Sequence, residues 1–177
     1  MRIISSLSSF LGITAVITWL HFITSYILPY PWNALNVLFV VLVLLISIKE
    51  MKTTVWLAFL SHFFLELYAT TPFGVLLFSS TFSALLTFWL SRSLIVNKSW
   101  YSTFVLSAAA IVLYRILYSG ALYSVSVVSG IPVIPIFFML PYFGFELFLT
   151  SFATGILYLL LARSKKKPGL FKLYATS

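Results

Sequence analysis

The sequence contains no cysteine and, among its 177 residues, only three acidic residues and two histidines. Without cysteine, the chain can form no disulfide, no thiolate metal site and no cysteine nucleophile, and its redox compartment is unreadable from the sequence. The HExxH spacing, the GxSxG elbow, the P-loop and the paired-acid motif are also absent. The sequence therefore predicts a protein that is not an enzyme and that carries no cofactor or metal.

Charge of either sign is scarce: 8% of the residues are charged and 62% are hydrophobic. Soluble domains contain about 25% charged and about 45–50% apolar residues. A soluble domain of this size could not cover so much apolar surface, so membrane lipid is the predicted surrounding. The formal net charge of +8 comes with no RNA-stacking or helix-turn-helix pattern, so nucleic acid is not a predicted partner.

Apolar segments predict an all-α polytopic membrane protein with a bundle of six transmembrane helices. Each spanning helix needs about 20 predominantly apolar residues, and the second and third segments are shorter than that. We expect one domain over residues 1–162, followed by a basic cytoplasmic tail over residues 163–177. The predicted spans are Leu7–Leu28, Ala34–Ile48, Thr54–Ala69, Phe73–Leu90, Trp100–Tyr118 and Pro141–Ala162.

The positions of lysine and arginine predict the orientation of these spans. Ten of the 11 basic residues fall on one face of the predicted bundle, and the loops of the other face hold none. Because cytoplasmic loops of membrane proteins carry an excess of these residues, both termini are predicted to be cytoplasmic. The ten are Arg2, Lys49, Lys52, Arg92, Lys98, Arg163, Lys165, Lys166, Lys167 and Lys172.

The segment Ser119–Leu140 is apolar enough for a seventh span, but two glycines and two prolines interrupt it. A seventh span would also place the lysine-rich tail on the outer face, against every other loop. We therefore expect an outer-face segment that is interfacial or re-entrant, with its non-helical backbone buried against protein. A lid over an outward-facing pocket is the alternative interpretation.

Ionisable residues inside the predicted spans all fall in the outer half of the membrane. A charge at a helix centre costs about 2.5–3.5 kcal/mol on insertion scales, so such residues usually face the bundle and pair. We expect Glu66 to pair with Arg115, with Glu146 as the competing or second partner. A structural ion pair, a substrate or ion site and a contact with an intramembrane partner all remain open as roles. The predicted network is His21, His62, Glu66, Arg115 and Glu146.

One segment, WLAFLSHFFLELYATTPFGVLLFSSTFSALLTFWLSRSL, has an apolar helix with a late acid, a short linker and a Pro-hydrophobic-Gly opening to the next helix. It resembles the central segment of the MreD family of bacterial rod shape-determining membrane proteins. Glu66 stands at the position of the family's Asp, and Pro72, Phe73 and Gly74 supply the opening of the next helix. These four residues form the predicted partner-interface motif, with Gly74 expected to allow close helix packing.

The resemblance implies a non-enzymatic scaffold of the bacterial cell-elongation machinery, which builds the cell wall and sets cell shape. It also implies residence in the bacterial cytoplasmic (inner) membrane, a single-span partner like MreC, and a fold similar to the S components of energy-coupling-factor transporters. A second function stays open, that of a small-molecule binding subunit of a membrane transporter. The outward polar residues and the apolar segment Ser119–Leu140 motivate it.

Overall fold

The computed structural model describes residues 2–49, 53–93, 99–130 and 140–165, and within these ranges every regular element is helical. The predicted all-α fold is therefore confirmed, and the helices follow the order of the predicted spans. A short 3-10 helix, Trp32–Ala34, lies between the first two. The α-helices are α1 (Arg2–Ile27), α2 (Val37–Lys49), α3 (Thr53–Glu66), α4 (Val75–Ser93), α5 (Trp100–Ser129) and α6 (Leu140–Lys165).

Four of these helices, α1, α4, α5 and α6, are long and apolar enough to cross a membrane. The other two, α2 and α3, contain 13 and 14 residues. At 1.5 Å per residue each is about 20 Å long, whereas the hydrocarbon core of a bilayer is about 30 Å thick. The structure thus confirms a membrane protein and supports four of the six predicted spans by length.

The short helix α2 forms the centre of the bundle. Its side chains point into protein on opposite sides, so α2 contributes to both apolar clusters of the core. A helix that is apolar all round is one that other helices enclose, and its length need not match the lipid thickness. The fully buried side chains of α2, each exposing 1% or less of its surface, are Leu38, Phe39, Leu42, Val43 and Ile46.

The fifth helix was predicted to end at Tyr118, but it continues to Ser129. The helix end at Tyr118 and the non-helical backbone predicted after it are therefore wrong for residues 119–129. The glycine at position 120 did not end the helix because an isolated glycine costs a helix only about 1 kcal/mol. With 30 residues, α5 is about 45 Å long, so it must tilt or extend beyond the hydrocarbon core. Residues 131–139 of the predicted segment lie outside the described residues.

Buried hydroxyl groups connect the helices that surround α2. The Ser83 hydroxyl of α4 donates to the Ala110 carbonyl of α5 at 2.7 Å, and the Ser107 and Thr154 hydroxyls of α5 and α6 lie 3.2 Å apart. Small hydroxyl residues let helices approach closely and hydrogen-bond across the interface. These contacts connect α4 to α5 and α5 to α6.

Three helices, α1, α3 and α5, finish at the end of the bundle where α2, α4 and α6 begin. We call this the polar end, because it contains the acidic side chains of residues 66 and 146 and the basic side chain of residue 115. Arg92, in the last turn of α4, and Arg163, near the end of α6, lie near the opposite end.

Candidate functional site

An ion pair between α5 and α6 lies at the polar end. The Nε of Arg115 donates to Oε2 of Glu146 at 2.7 Å, and Nη2 of Arg115 donates to the same oxygen. The Glu146 side chain exposes 4% of its surface and that of Arg115 exposes 22%. The guanidinium carbon also lies 5.8 and 5.9 Å from the ring centres of Tyr114 and Tyr142. Pairing of this kind lowers the cost of placing both charges within a membrane.

Asn36, which the sequence prediction missed, joins this ion pair to α2. Its Nδ2 donates to the Oε1 of Glu146 at 3.1 Å, and its backbone N–H donates to the Thr150 hydroxyl at 3.0 Å. Its Oδ1 accepts the backbone N–H of Phe39 at 3.3 Å, so Asn36 is the N-cap of α2. An asparagine directly before an apolar helix is a preferred N-cap, and this signal could have found it.

Glu66, the last residue of α3, caps the next helix. Its carboxylate accepts backbone N–H groups of Gly74 at 3.0 Å, Leu76 at 3.3 Å and Leu77 at 2.6 Å. The first N–H groups of a helix have no partner within the helix, and the positive end of the helix dipole favours a carboxylate there. Glu66 is buried, and its charge serves to join the end of α3 to the start of α4.

The predicted pair between Glu66 and Arg115 is therefore wrong. Arg115 pairs with the other predicted carboxylate, Glu146, because α6 packs against α5 at this depth. The Glu66 carboxylate instead accepts hydrogen bonds from the backbone at the start of α4. His62 joins neither. It is buried, its Nδ1 lies 3.0 Å from the Ala58 carbonyl oxygen, and its ring contacts aromatic neighbours of the core. The predicted five-residue network is thus divided into separate contacts.

The predicted partner-interface motif forms the corner between α3 and α4. Pro72 and Phe73 are exposed, Phe73 by 68%, and the Phe73 ring meets that of Phe63 with their centres 6.5 Å apart. Gly74 has a φ of 98°, and a Cβ placed there would meet no atom within 4 Å. The expectation that Gly74 allows close helix packing is therefore wrong, since its backbone conformation is what requires glycine.

A cavity of about 140 Å³ opens at the polar end, beside the ion pair. It lies between the end of α1, the 3-10 helix, α5 and the start of α6. His21, the remaining member of the predicted network, lines this cavity. Two buried atoms of its wall, Nδ1 of His21 and Oδ1 of Asn33, have no hydrogen-bond partner in the described chain. The remaining polar wall residues are Ser25, Asn36, Tyr114, Arg115, Tyr142 and Glu146.

The described parts of the chain contain no group of three His, Asp or Glu side chains that could hold a metal ion. What the polar end offers is a buried ion pair, a carboxylate cap and a cavity with hydrogen-bonding walls. These groups are suited to binding and to fixing helix positions. Comparison with models of protein families, with curated proteins and with solved structures finds no match to this chain.

Proposed function

We propose that this chain is a non-enzymatic scaffold of the cell-elongation machinery in a bacterial cytoplasmic membrane, where it binds a single-span partner protein. The observation that carries the proposal is the corner formed by Glu66 and Gly74. Three features carry the resemblance to the MreD family: the late acid, the linker and the Pro-Phe-Gly opening. In this corner they act together as one structural unit. The acid caps α4, and the glycine supplies the backbone turn that brings its N–H to the carboxylate.

The corner also presents apolar side chains outward. Leu67, Tyr68 and Phe73 expose 57%, 73% and 68% of their surfaces. The Tyr68 ring stands edge-on to that of Phe22 on α1, with 5.6 Å between ring centres. Exposed aromatic side chains on a backbone held by hydrogen bonds are suited to contact an apolar partner helix, because little freedom is lost on binding.

The proposal includes an orientation with both termini in the cytoplasm and the polar end outside. The asymmetry of basic residues supports it. Arg92, in the last turn of α4, and Arg163, near the end of α6, both lie away from the polar end. The corner would then meet the partner's transmembrane helix at its outer part.

The test is copurification of the full chain from membranes of a rod-shaped bacterium that expresses it. We expect a single-span membrane protein with a coiled-coil domain to copurify, and we expect Phe73→Ala to reduce its recovery. Phe148→Ala on α6 is the matched control, because Phe148 is also exposed, by 57%, but lies on another helix. Equal recovery with both variants, or recovery of no such protein, would contradict the proposal.

The cavity favours a second candidate, a small-molecule binding subunit of a transporter. Sites for drug-sized ligands usually enclose about 300–1,000 Å³, whereas this cavity encloses about 140 Å³. The cavity therefore suits only a much smaller molecule. Copurification of paired ATPases in place of a single-span protein would favour this candidate over the scaffold.

A further inference from the structure

Five polar side chains of the cavity wall have hydrogen-bonding groups that no other described residue uses. The groups are the imidazole nitrogens of His21, the hydroxyls of Ser25 and Tyr114, the side-chain amide of Asn33 and Nη1 of Arg115. Two of these groups, Nδ1 of His21 and Oδ1 of Asn33, are buried. Buried polar groups in proteins almost always have a partner, because leaving water without a new hydrogen bond is costly. A cluster of unused groups around one space indicates that a bound molecule supplies the missing partners.

We propose that this cavity is a binding site for a small, uncharged molecule bearing hydroxyl or amide groups. The site does not depend on the scaffold role, because none of its unused groups belongs to the corner between α3 and α4. It would be formed by α1, the 3-10 helix and α5, with the ion pair of α5 and α6 as one wall.

The unused groups require a molecule that both donates and accepts hydrogen bonds. The Oδ1 of Asn33 can only accept, so the molecule must donate to it, while Nη1 of Arg115 can only donate, so the molecule must also accept. A carboxylate or a halide has no donor, and an ammonium group has no acceptor. Hydroxyl and amide groups satisfy both requirements.

The charges of the wall favour a neutral molecule. The carboxylate of Glu146 already neutralises the guanidinium of Arg115. An added anion or cation would leave one uncompensated charge beside this ion pair, which is unfavourable. The space of about 140 Å³ is large enough for several waters or for one molecule of glycerol size.

The test is saturation-transfer NMR on the full chain, purified in detergent without glycerol. The probes are glycerol, acetate and methylammonium, each added separately. We expect saturation transfer to glycerol and little to the two ions. Ser25→Leu fills the cavity and His21→Leu removes two of its polar groups, and each should reduce the glycerol signal at least fivefold.

The matched control is Ser124→Leu, because Ser124 is exposed on α5 and lies away from the cavity. Its glycerol signal should equal that of the unmodified chain. Two cavity variants are used so that the result does not depend on one substitution being tolerated. An unchanged unfolding temperature shows that each variant has folded. Equal glycerol signals in the cavity and control variants, transfer to an ion alone, or transfer to no probe would overturn the proposal.

Discussion

Arg115 and Glu146, on neighbouring helices α5 and α6, form an ion pair with 2.7 Å between Nε and Oε2. The second oxygen of Glu146 accepts a hydrogen bond from Asn36 at the start of α2. One buried carboxylate therefore connects three helices at the same depth in the bundle. Its removal should affect the packing of all three.

Breaking this pair on one side should destabilise the protein. Removing one member of a buried pair can cost about 3–5 kcal/mol because the other charge stays behind, and we expect the lower end since Arg115 is partly exposed. Glu146→Gln and Arg115→Gln should each lower the free energy of unfolding, and the double mutant should lose less than the sum. Unfolding by denaturant in mixed micelles measures the three losses.

The control for this cycle pairs Arg115→Gln with Glu66→Gln. Because Glu66 bonds to the start of α4 and not to Arg115, these two losses should add. Additive losses for Arg115 with Glu146, or coupled losses for Arg115 with Glu66, would contradict the ion-pair assignment.

The sequence placed Arg115, Glu66 and Glu146 correctly at one end of the bundle but did not identify the partner of the arginine. Helical rise gives the depth of a residue to within about one turn. The choice between two carboxylates at similar depth depends on how each helix is rotated about its axis, which only tertiary packing decides. The capping role of Glu66 was open to prediction, because a carboxylate is favoured at a helix start.

The cap formed by Glu66 gives a local prediction. Glu66→Ala removes the acceptor of three N–H groups and should destabilise the start of α4 by about 1–2 kcal/mol, as for other lost N-caps. Glu66→Gln keeps an oxygen but loses the charge, so its effect should be smaller. Amide hydrogen exchange at Gly74, Leu76 and Leu77 measures the change. Glu146→Ala, the control, should leave exchange at these three amides unaltered, and a null effect of Glu66→Ala there would count against the cap.

Two glycines should respond to alanine with opposite signs. Gly74 has a φ of 98°, which side chains disfavour, so Gly74→Ala should destabilise the protein by about 1–2 kcal/mol. Gly120 lies inside α5 with open space around it, so Gly120→Ala should stabilise by about 0.5–1 kcal/mol. Denaturant unfolding of both variants measures the difference. Equal effects would show that backbone conformation is not what requires Gly74.

The order of the helices was predictable from the sequence, but the end of α5 was placed too early. Apolar residues continue past Tyr118, and Gly120 offers no steric stop, so the helix passes through the first of the two glycines. The actual stop is Gly130, whose φ of 70° ends the helix. The lengths of α2 and α3 were read correctly as short, because charged residues near positions 49–52 bound both segments.

The predicted orientation can be measured on this naturally cysteine-free chain. Single cysteines at Thr70, which is exposed in the corner between α3 and α4, and at Lys167, in the basic tail, provide the two probes. A membrane-impermeant thiol reagent added to intact cells should label the cysteine at position 70 and not that at 167, because basic segments stay in the cytoplasm. Permeabilised cells, in which both should react, are the control. Labelling of position 167 alone in intact cells would show that the orientation is the opposite of the predicted one.

Asn36 performs two tasks that substitutions can separate. Asn36→Ala removes both the cap of α2 and the amide donor to Glu146, whereas Asn36→Ser keeps an oxygen that can cap the helix. Losing the cap costs about 1–2 kcal/mol, and losing a hydrogen bond to a charged group costs about 1.5–3 kcal/mol. The alanine variant should therefore unfold at lower denaturant concentration than the serine variant, and both below the unmodified chain.

In a Glu146→Gln background the difference between the alanine and serine variants at position 36 should persist, since this difference reports the cap alone. If serine and alanine are equally destabilising, Asn36 acts only through Glu146.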